Sequence, residues 1–210
     1  MKWINYFTIY KIPFYIYKLN KGDSIIYMNY KKKCTSIIIA YGILHLLKIF
    51  TNKEIITIGI LGKENIIHAL AEQKNCYYQL IAIEESFLIS FKWSDLITNQ
   101  NSYNNNYLFI NILNVYQNTL NKYEMMNQIL IHKYTKSRTI QLILFLCKEF
   151  GFTQQNFIIL PFQFSQITMS IVTAGNRSTI NKVMKRLYRK NTIFYSHNRY
   201  ICLVDPFQLL

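Results

Sequence analysis

At 210 residues with 51% hydrophobic content, the chain is long enough for one large domain or two small ones and has ample apolar material for a buried core, which sets aside a disordered tail. Its 24 Lys and Arg against 10 Asp and Glu give a formal charge of +14, a balance suited to a polyanionic partner, a membrane surface or ribosomal packing. No run approaches the roughly 18 uninterrupted apolar residues of a membrane span, and the opening MKWINYFTIYKIPFYIYKL lacks a signal peptide's compact apolar core and small-residue cleavage site, so a soluble, unprocessed chain is expected.

From about Phe14 to Phe91 the chain reads as short β-rich runs, FYIYKL, SIIYMNY, SIIIAYGILHLLKIF, IITIGIL, YYQLIAI and SFLISF, with the turn-forming KGD, TNKE and GKEN between them. Strands at this spacing predict a sandwich or jelly roll over residues 1–98. The polar stretch NQNSYNNN, Asn99 to Asn106, marks the end of that unit.

A new period begins after it. Phe109, Leu113, Tyr116, Leu120, Tyr123, Asn127, Leu130 and Tyr134 step alternately by four and three, the seam of a long helix able to pair with another helix. A second apolar line, Leu108, Ile112, Val115, Met126 and Ile129, predicts that the helix also lies on its own domain's core. One stripe would then meet the β unit and the other a second copy of the chain, with residues 99–135 serving as linker and dimerisation helix. Asn127 either fixes the register of that pairing or is an ordinary solvated side chain.

TIQLILFLCKEFG is read as a further helix closed by Gly151 in the C′ position, and FIILPF as a short strand broken by Pro161. The stretch SQITMSIVTAGNRSTINKVMKRLYRKNTIFYSHNRYICLVDP then runs helix, tight turn with Gly175, helix, and two β runs around His197 and Asn198. That order predicts a winged helix-turn-helix within residues 136–210.

The charge is concentrated in the same region. Residues 131–210 hold 11 Lys or Arg against Glu149 and Asp205, and all five arginines, Arg138, Arg177, Arg186, Arg189 and Arg199, lie there. In NRSTINKVMKRL, helical spacing puts Ile180, Val183, Met184 and Leu187 on one stripe and gathers Arg177, Ser178, Asn181, Lys182 and Lys185 opposite. A solvated helix usually mixes charge signs, whereas residues 176–199 hold seven basic residues and no acid. The segment is therefore read as a recognition helix for double-stranded DNA. Asn176 caps it, and Arg177 at its first position can donate two hydrogen bonds to guanine O6 and N7. Asn181 and Lys182 follow one turn on, Lys185, Arg189 and Lys190 suit backbone phosphates, and Arg199 belongs to the wing.

Two other classes compete. A sensor module would bind a ligand or partner through the β unit, with the basic tail merely electrostatic. An enzyme on a jelly roll would need chemistry that the sequence does not gather. His45, His68, His132 and His197 are isolated, ten acids are thinly spread, and Cys34, Cys76, Cys147 and Cys202 lack metal-site spacing and read as reduced thiols. No metal and no cofactor is expected on these grounds.

The order β-roll, long helix, winged helix-turn-helix resembles the cyclic-AMP receptor protein superfamily of transcription regulators. Within it, EMMNQILIHKYTKSRTIQLILFLCKEFG and SQITMSIVTAGNRSTINKVMKRL are similar to the global nitrogen regulator of cyanobacteria and algal plastids, and IITIGILGKENII resembles strands of its β-roll. The resemblance implies an α+β fold with a cyclic-nucleotide-binding-like domain. It also implies a homodimeric activator that binds a two-fold symmetric promoter site and helps RNA polymerase transcribe nitrogen-assimilation genes. Arg177, Ser178 and Lys182 occupy the family's base-reading positions, Lys182 in place of a usual Arg, and Gly175 stands one position later than the family's turn glycine.

The resemblance also implies a small-anion effector, 2-oxoglutarate in the nitrogen branch, held by one arginine from the β-roll and one from the long helix. Those positions are Cys76 and Thr119 here, and no arginine precedes Arg138. A bidentate guanidinium clamp is therefore ruled out within this β-roll, and weakened or lost 2-oxoglutarate sensing is expected. Lys74 and Lys122 could supply a point charge instead. Ile67, His68, Ala69 and Leu70 would line the pocket, with Glu124 on the helix. The surplus of Ile, Asn, Lys and Tyr, codon families of A+T-rich DNA, together with the resemblance, favours a plastid over a bacterial cytoplasm.

Overall fold

The computed structural model describes residues 2–27, 35–68, 75–98 and 105–209. These divide into two compact units, Met1–Glu124 and Met125–Leu210.

The first unit begins with α1 (Lys2–Ile9), followed by strands β1 (Phe14–Leu19), β2 (Ser24–Tyr27), β3 (Thr35–Tyr41), β4 (Leu44–Phe50), β5 (Ile55–Leu61), β6 (Ile66–His68), β7 (Cys76–Ala82) and β8 (Ser86–Lys92). It continues with α2 (Trp93–Thr98) and most of α3 (Asn105–Ile131). The strands form two four-stranded antiparallel sheets, in the orders β1-β8-β3-β6 and β2-β7-β4-β5.

The unbroken apolar run of β3 has a direct cause. Successive side chains alternate between the two faces of a strand. Ile37 and Ile39 enter the core between the sheets with Leu44, Leu46, Leu61, Leu80 and Leu88, while Ile38 enters a second core with Trp3, Phe7, Ile89 and Phe91. The second core is completed by Leu96 of α2 and by Leu108, Ile112 and Val115 of α3. The β3–β8 pair is thus buried on both faces, which favours apolar residues on both.

The second unit holds the end of α3, α4 (Thr135–Phe150), the hairpin β9 (Phe152–Gln154) and β10 (Phe157–Ile159), α5 (Gln166–Val172), α6 (Arg177–Arg189), β11 (Ile193–Tyr195), β12 (Ile201–Leu203) and a 3₁₀ turn, Pro206–Leu209. Its sheet has the order β11-β12-β10-β9. Leu142, Leu146, Leu160, Phe162, Met169, Val172, Ile180 and Met184 are buried together with the inward faces of β11 and β12.

Several expectations are corrected here. Helices α1 and α2 flank the β runs read from Phe14 to Phe91, in segments to which the sequence pattern assigns no element. The helix after the Asn-rich stretch already includes Asn105 and Asn106 and stops at Ile131, so Tyr134 leaves the seam and becomes the extended residue that opens α4. Gly151 is not a left-handed C′ residue. Its φ is −72°, and a side chain there would run into the Cys147 carbonyl and Ile158, so closeness of backbone to backbone explains the glycine. Met28–Tyr30 and 99–104 lie outside the described residues.

Candidate nucleic-acid interface

The interface is assembled on α6. Asn176 adopts an extended conformation (φ −75°, ψ 133°), and its Oδ1 accepts from the Ser178 backbone N–H at 2.9 Å and the Ser178 hydroxyl at 3.1 Å. This satisfies one of the otherwise unpaired N–H groups of the first turn. It also commits the Ser178 hydroxyl proton to the cap, leaving that oxygen to act on a ligand as an acceptor.

Ile180, Val183, Met184 and Leu187 are buried, whereas Arg177, Ser178, Lys182, Lys185, Arg186 and Arg189 are exposed and Asn181 is half-buried. At about 100° per residue, Ser178, Lys182, Lys185 and Arg189 fall within about 60° of one another, opposite the buried stripe. Lys190 caps the far end, also exposed. Arg186 belongs to the same exposed face and was missed as a site residue, although its position at the edge of the polar stripe is readable from spacing alone.

The turn before α6 is built differently from the expectation. Ala174 takes the left-handed conformation (φ 47°), while Gly175 is needed because a Cβ on it would lie 2.5 Å from Thr135 Cγ2 on α4. The glycine one position late is therefore a packing requirement, with the positive φ carried by its neighbour.

Arg138 locks this turn. Its Nε donates to the His132 carbonyl at 2.7 Å, just beyond α3, and Nη1 donates to the Thr173 carbonyl at 3.0 Å, at the end of α5. Carbonyls at helix C-termini lack intrahelical donors and carry partial negative charge, so one guanidinium satisfies two such ends. Sequence reasoning did not assign Arg138 this role, because both partners are backbone atoms and leave no side-chain signature.

In the wing, β11 and β12 pair antiparallel and the loop between them closes with Ser196 N–H to Tyr200 O at 2.9 Å and Arg199 N–H to Ser196 O at 2.8 Å. Arg199 sits at the tip with φ 59°, exposed. Gln163 Nε2 donates to the Asn198 carbonyl at 3.1 Å, and the Tyr188 and Tyr195 rings stack at 6.5 Å, tying the wing to the segment before α5 and to α6.

The β-roll positions are arranged otherwise. Ile67 belongs to the core between the sheets, whereas the half-buried His68 points to the other face, with Nδ1 2.8 Å from Ser36 Oγ and its ring beside Trp93 and Tyr116. Neighbours on a strand face opposite ways, so the two residues do not share a pocket. Desolvation lowers the His68 pKa. Lys122 is half-buried and Glu124 exposed, while Ala69, Leu70 and Lys74 lie outside the described residues. Thr119 is buried, with Oγ1 accepting from the Ile66 N–H at 2.8 Å and donating to the Val115 carbonyl at 2.8 Å. Cys76 is half-buried at the start of β7, opposite Phe50.

Two sheets, a long helix and a winged helix-turn-helix in this order form the fold of the CRP/FNR regulators. The chain superimposes on CooA from Carboxydothermus hydrogenoformans with a TM-score of 0.74 at 13% identity, covering 96% of this chain and 88% of that one. FixK2 from Bradyrhizobium japonicum gives 0.70 at 14% identity, with coverages of 94% and 96%. A CRP-family transcriptional regulator from Thermus thermophilus gives 0.70 at 14%, with coverages of 92% and 94%. In sequence, the chain is 24% identical over 209 residues to the "Putative HTH-type transcriptional regulator ycf28" of Porphyra purpurea, across 99% of this chain and 85% of that protein. No family model matches the chain.

Proposed function

We propose that the protein is a sequence-specific, DNA-binding transcription regulator that works as a homodimer. The observation that carries this reading is the exposed face of α6 with its wing, where Arg177, Lys182, Lys185, Arg186, Arg189, Lys190 and Arg199 stand without an acid between residues 176 and 199. The fold and the regulator of Porphyra purpurea support the same class. Arg177, Asn181 and Lys182 read bases, Ser178 accepts from a base or a phosphate-bound water, and Lys185, Arg189, Lys190 and Arg199 hold phosphates. The second copy pairs through the seam of α3, where Leu113 and Leu120 are 48% and 59% exposed.

The finer reading is a plastid activator of nitrogen-assimilation genes that recruits RNA polymerase and has lost 2-oxoglutarate sensing. It rests on the likeness to the nitrogen regulators and on the chemistry of Cys76 and Thr119. The Thr119 hydroxyl is spent on backbone groups, and neither side chain can form a fork to a dicarboxylate. No helix of the described residues is long and apolar enough to cross a membrane.

Fluorescence anisotropy on a GTA…TAC palindrome and a scrambled duplex, each with and without 2-oxoglutarate at fixed salt, tests both levels. The expected result is a preference for the palindrome that 2-oxoglutarate leaves unchanged. Equal affinity for both duplexes would remove the regulator reading, and enhancement by 2-oxoglutarate would remove the loss of sensing alone.

A further inference from the structure

Within the second unit a cavity of about 250 Å³ lies between the last two turns of α3 and α4. Met125 and Ile129 of α3 and Leu144 and Phe145 of α4 form its apolar walls, with Lys148 one turn beyond Leu144 on α4 and His132 just after α3 also lining it. Positions 125 and 129 of α3 and 141, 144 and 148 of α4 step by three or four, and Gln128, His132, Gln141 and Lys148 supply the polar part of the lining. No Asp or Glu lines the cavity.

The walls face away from the seam. On α3, Met125 and Ile129 lie about 150° around the helix from Tyr123, Asn127 and Leu130, so a second copy seated on the seam leaves the cavity open.

We propose that this cavity binds a small amphipathic monocarboxylate, its chain against Met125, Ile129 and Leu144 and its carboxylate on the Lys148 ammonium. The volume is far above the roughly 10–15 Å³ that a single water needs on the same measure, so the cavity has room for a short aliphatic chain. The apolar walls favour burial of the chain, and a cation beside an acid-free rim selects the anion over a neutral alcohol. Resting on the regulator reading, the site also has a route to DNA binding. His132, which lines the cavity, presents its carbonyl to Arg138, and Arg138 holds Thr173 at the turn before α6.

The test is calorimetric titration of the full-length protein with octanoate, using octan-1-ol and acetate as matched probes for the tail and the charge. One octanoate per chain is expected, with each control weaker by about tenfold or more. Lys148→Glu, at an exposed position, should weaken octanoate by about tenfold or more with an unchanged melting temperature. Leu144→Trp, which fills the cavity, should abolish binding. Octanol binding as well as octanoate, an unaffected Lys148→Glu protein, or no heat with octanoate would each overturn the proposal. Arg177→Ala should keep full octanoate affinity, so loss of DNA preference in that variant bears on the regulator reading and not on the cavity. Octanoate should also shift the DNA dissociation constant of the native protein and not that of Lys148→Glu; an unchanged constant in both would overturn the link to DNA binding.

Discussion

Arg177 and Lys185 sit on one helix, and in the proposed complex they would meet different parts of a duplex. A guanidinium at the first helical position can make a bidentate contact to guanine, whereas an ammonium two turns on is a point charge beside a phosphate. Arg177→Ala should therefore cost about 1–3 kcal/mol on the specific site and little on random DNA, while Lys185→Ala should weaken both about equally. Competition anisotropy with the two duplexes reads the difference directly. The turn before α6 gives a stability counterpart. Ala174 sits at φ 47°, where a Cβ costs about 1–2 kcal/mol and a glycine nothing, less about 0.4–1 kcal/mol for the looser unfolded chain. Ala174→Gly should raise stability by about 0.5–1 kcal/mol, and Gly175→Ala should lower it by about 1–3 kcal/mol through the clash with Thr135. Urea unfolding of the two variants checks both signs. In the β-roll, burial brings the His45 imidazole down to about 4, with Nε2 2.9 Å from Thr57 Oγ1. The unfolded imidazole titrates near 6.5, so the folded state binds the proton more weakly and its stability is fully present above pH 6.5. About 3 kcal/mol should be lost as pH falls from about 6.5 to 4, and His45→Leu should flatten that part of the stability profile.

At the scale of elements, α3 buries one of its two apolar lines and splits the other, whose Tyr116 and Tyr123 pack against the cores of the first unit. Leu108, Ile112, Val115, Met126 and Ile129 are buried, while Phe109, Leu113 and Leu120 stay exposed. Such periodicity is legible because burial on one side of a helix is a repeating constraint on the sequence. The strands of the β-roll and the stripe of α6 were legible for the same reason. What was not legible depends on which backbones approach one another. α1 carries no charge pattern that separates KWINYFTI from a strand, and its helical state is fixed by packing Trp3 and Phe7 against β3 and β8. The reasons for Gly151 and Gly175 lie in Cys147 and Thr135, known only once α4 is placed. Arg138 is a third case, since its partners are two carbonyls. Removing the guanidinium leaves both without their charged donor, so Arg138→Ala should cost about 1.5–3 kcal/mol, with Arg138→Lys recovering part of it. Chemical denaturation followed by a probe in the second unit checks the cost.

For the whole molecule, charge and symmetry act together. On the proposed reading each copy would offer Lys185, Arg189, Lys190 and Arg199 to phosphates, so a dimer on a palindrome would neutralise about eight. The logarithm of its affinity should then fall against the logarithm of salt concentration with a slope of about −0.9 times eight, or about −7. Symmetry enters through the seam, where Leu120 is 59% exposed in the single chain, and a charge placed there would have to be buried against its own copy. Leu120→Lys should yield a monomer by sedimentation with the fold of each chain intact, since the Leu120 side chain is itself exposed while its seam neighbours Tyr116 and Tyr123 keep their packing on the first unit's cores. The monomer keeps half the phosphate contacts, so its slope should drop to about −4 and its preference for the palindrome over a single half-site should vanish. A dimeric Leu120→Lys protein with the slope of the native chain would place the pairing surface elsewhere. A monomer that kept the full slope would mean that one chain alone supplies the cationic surface, including basic residues beyond α6 and its wing.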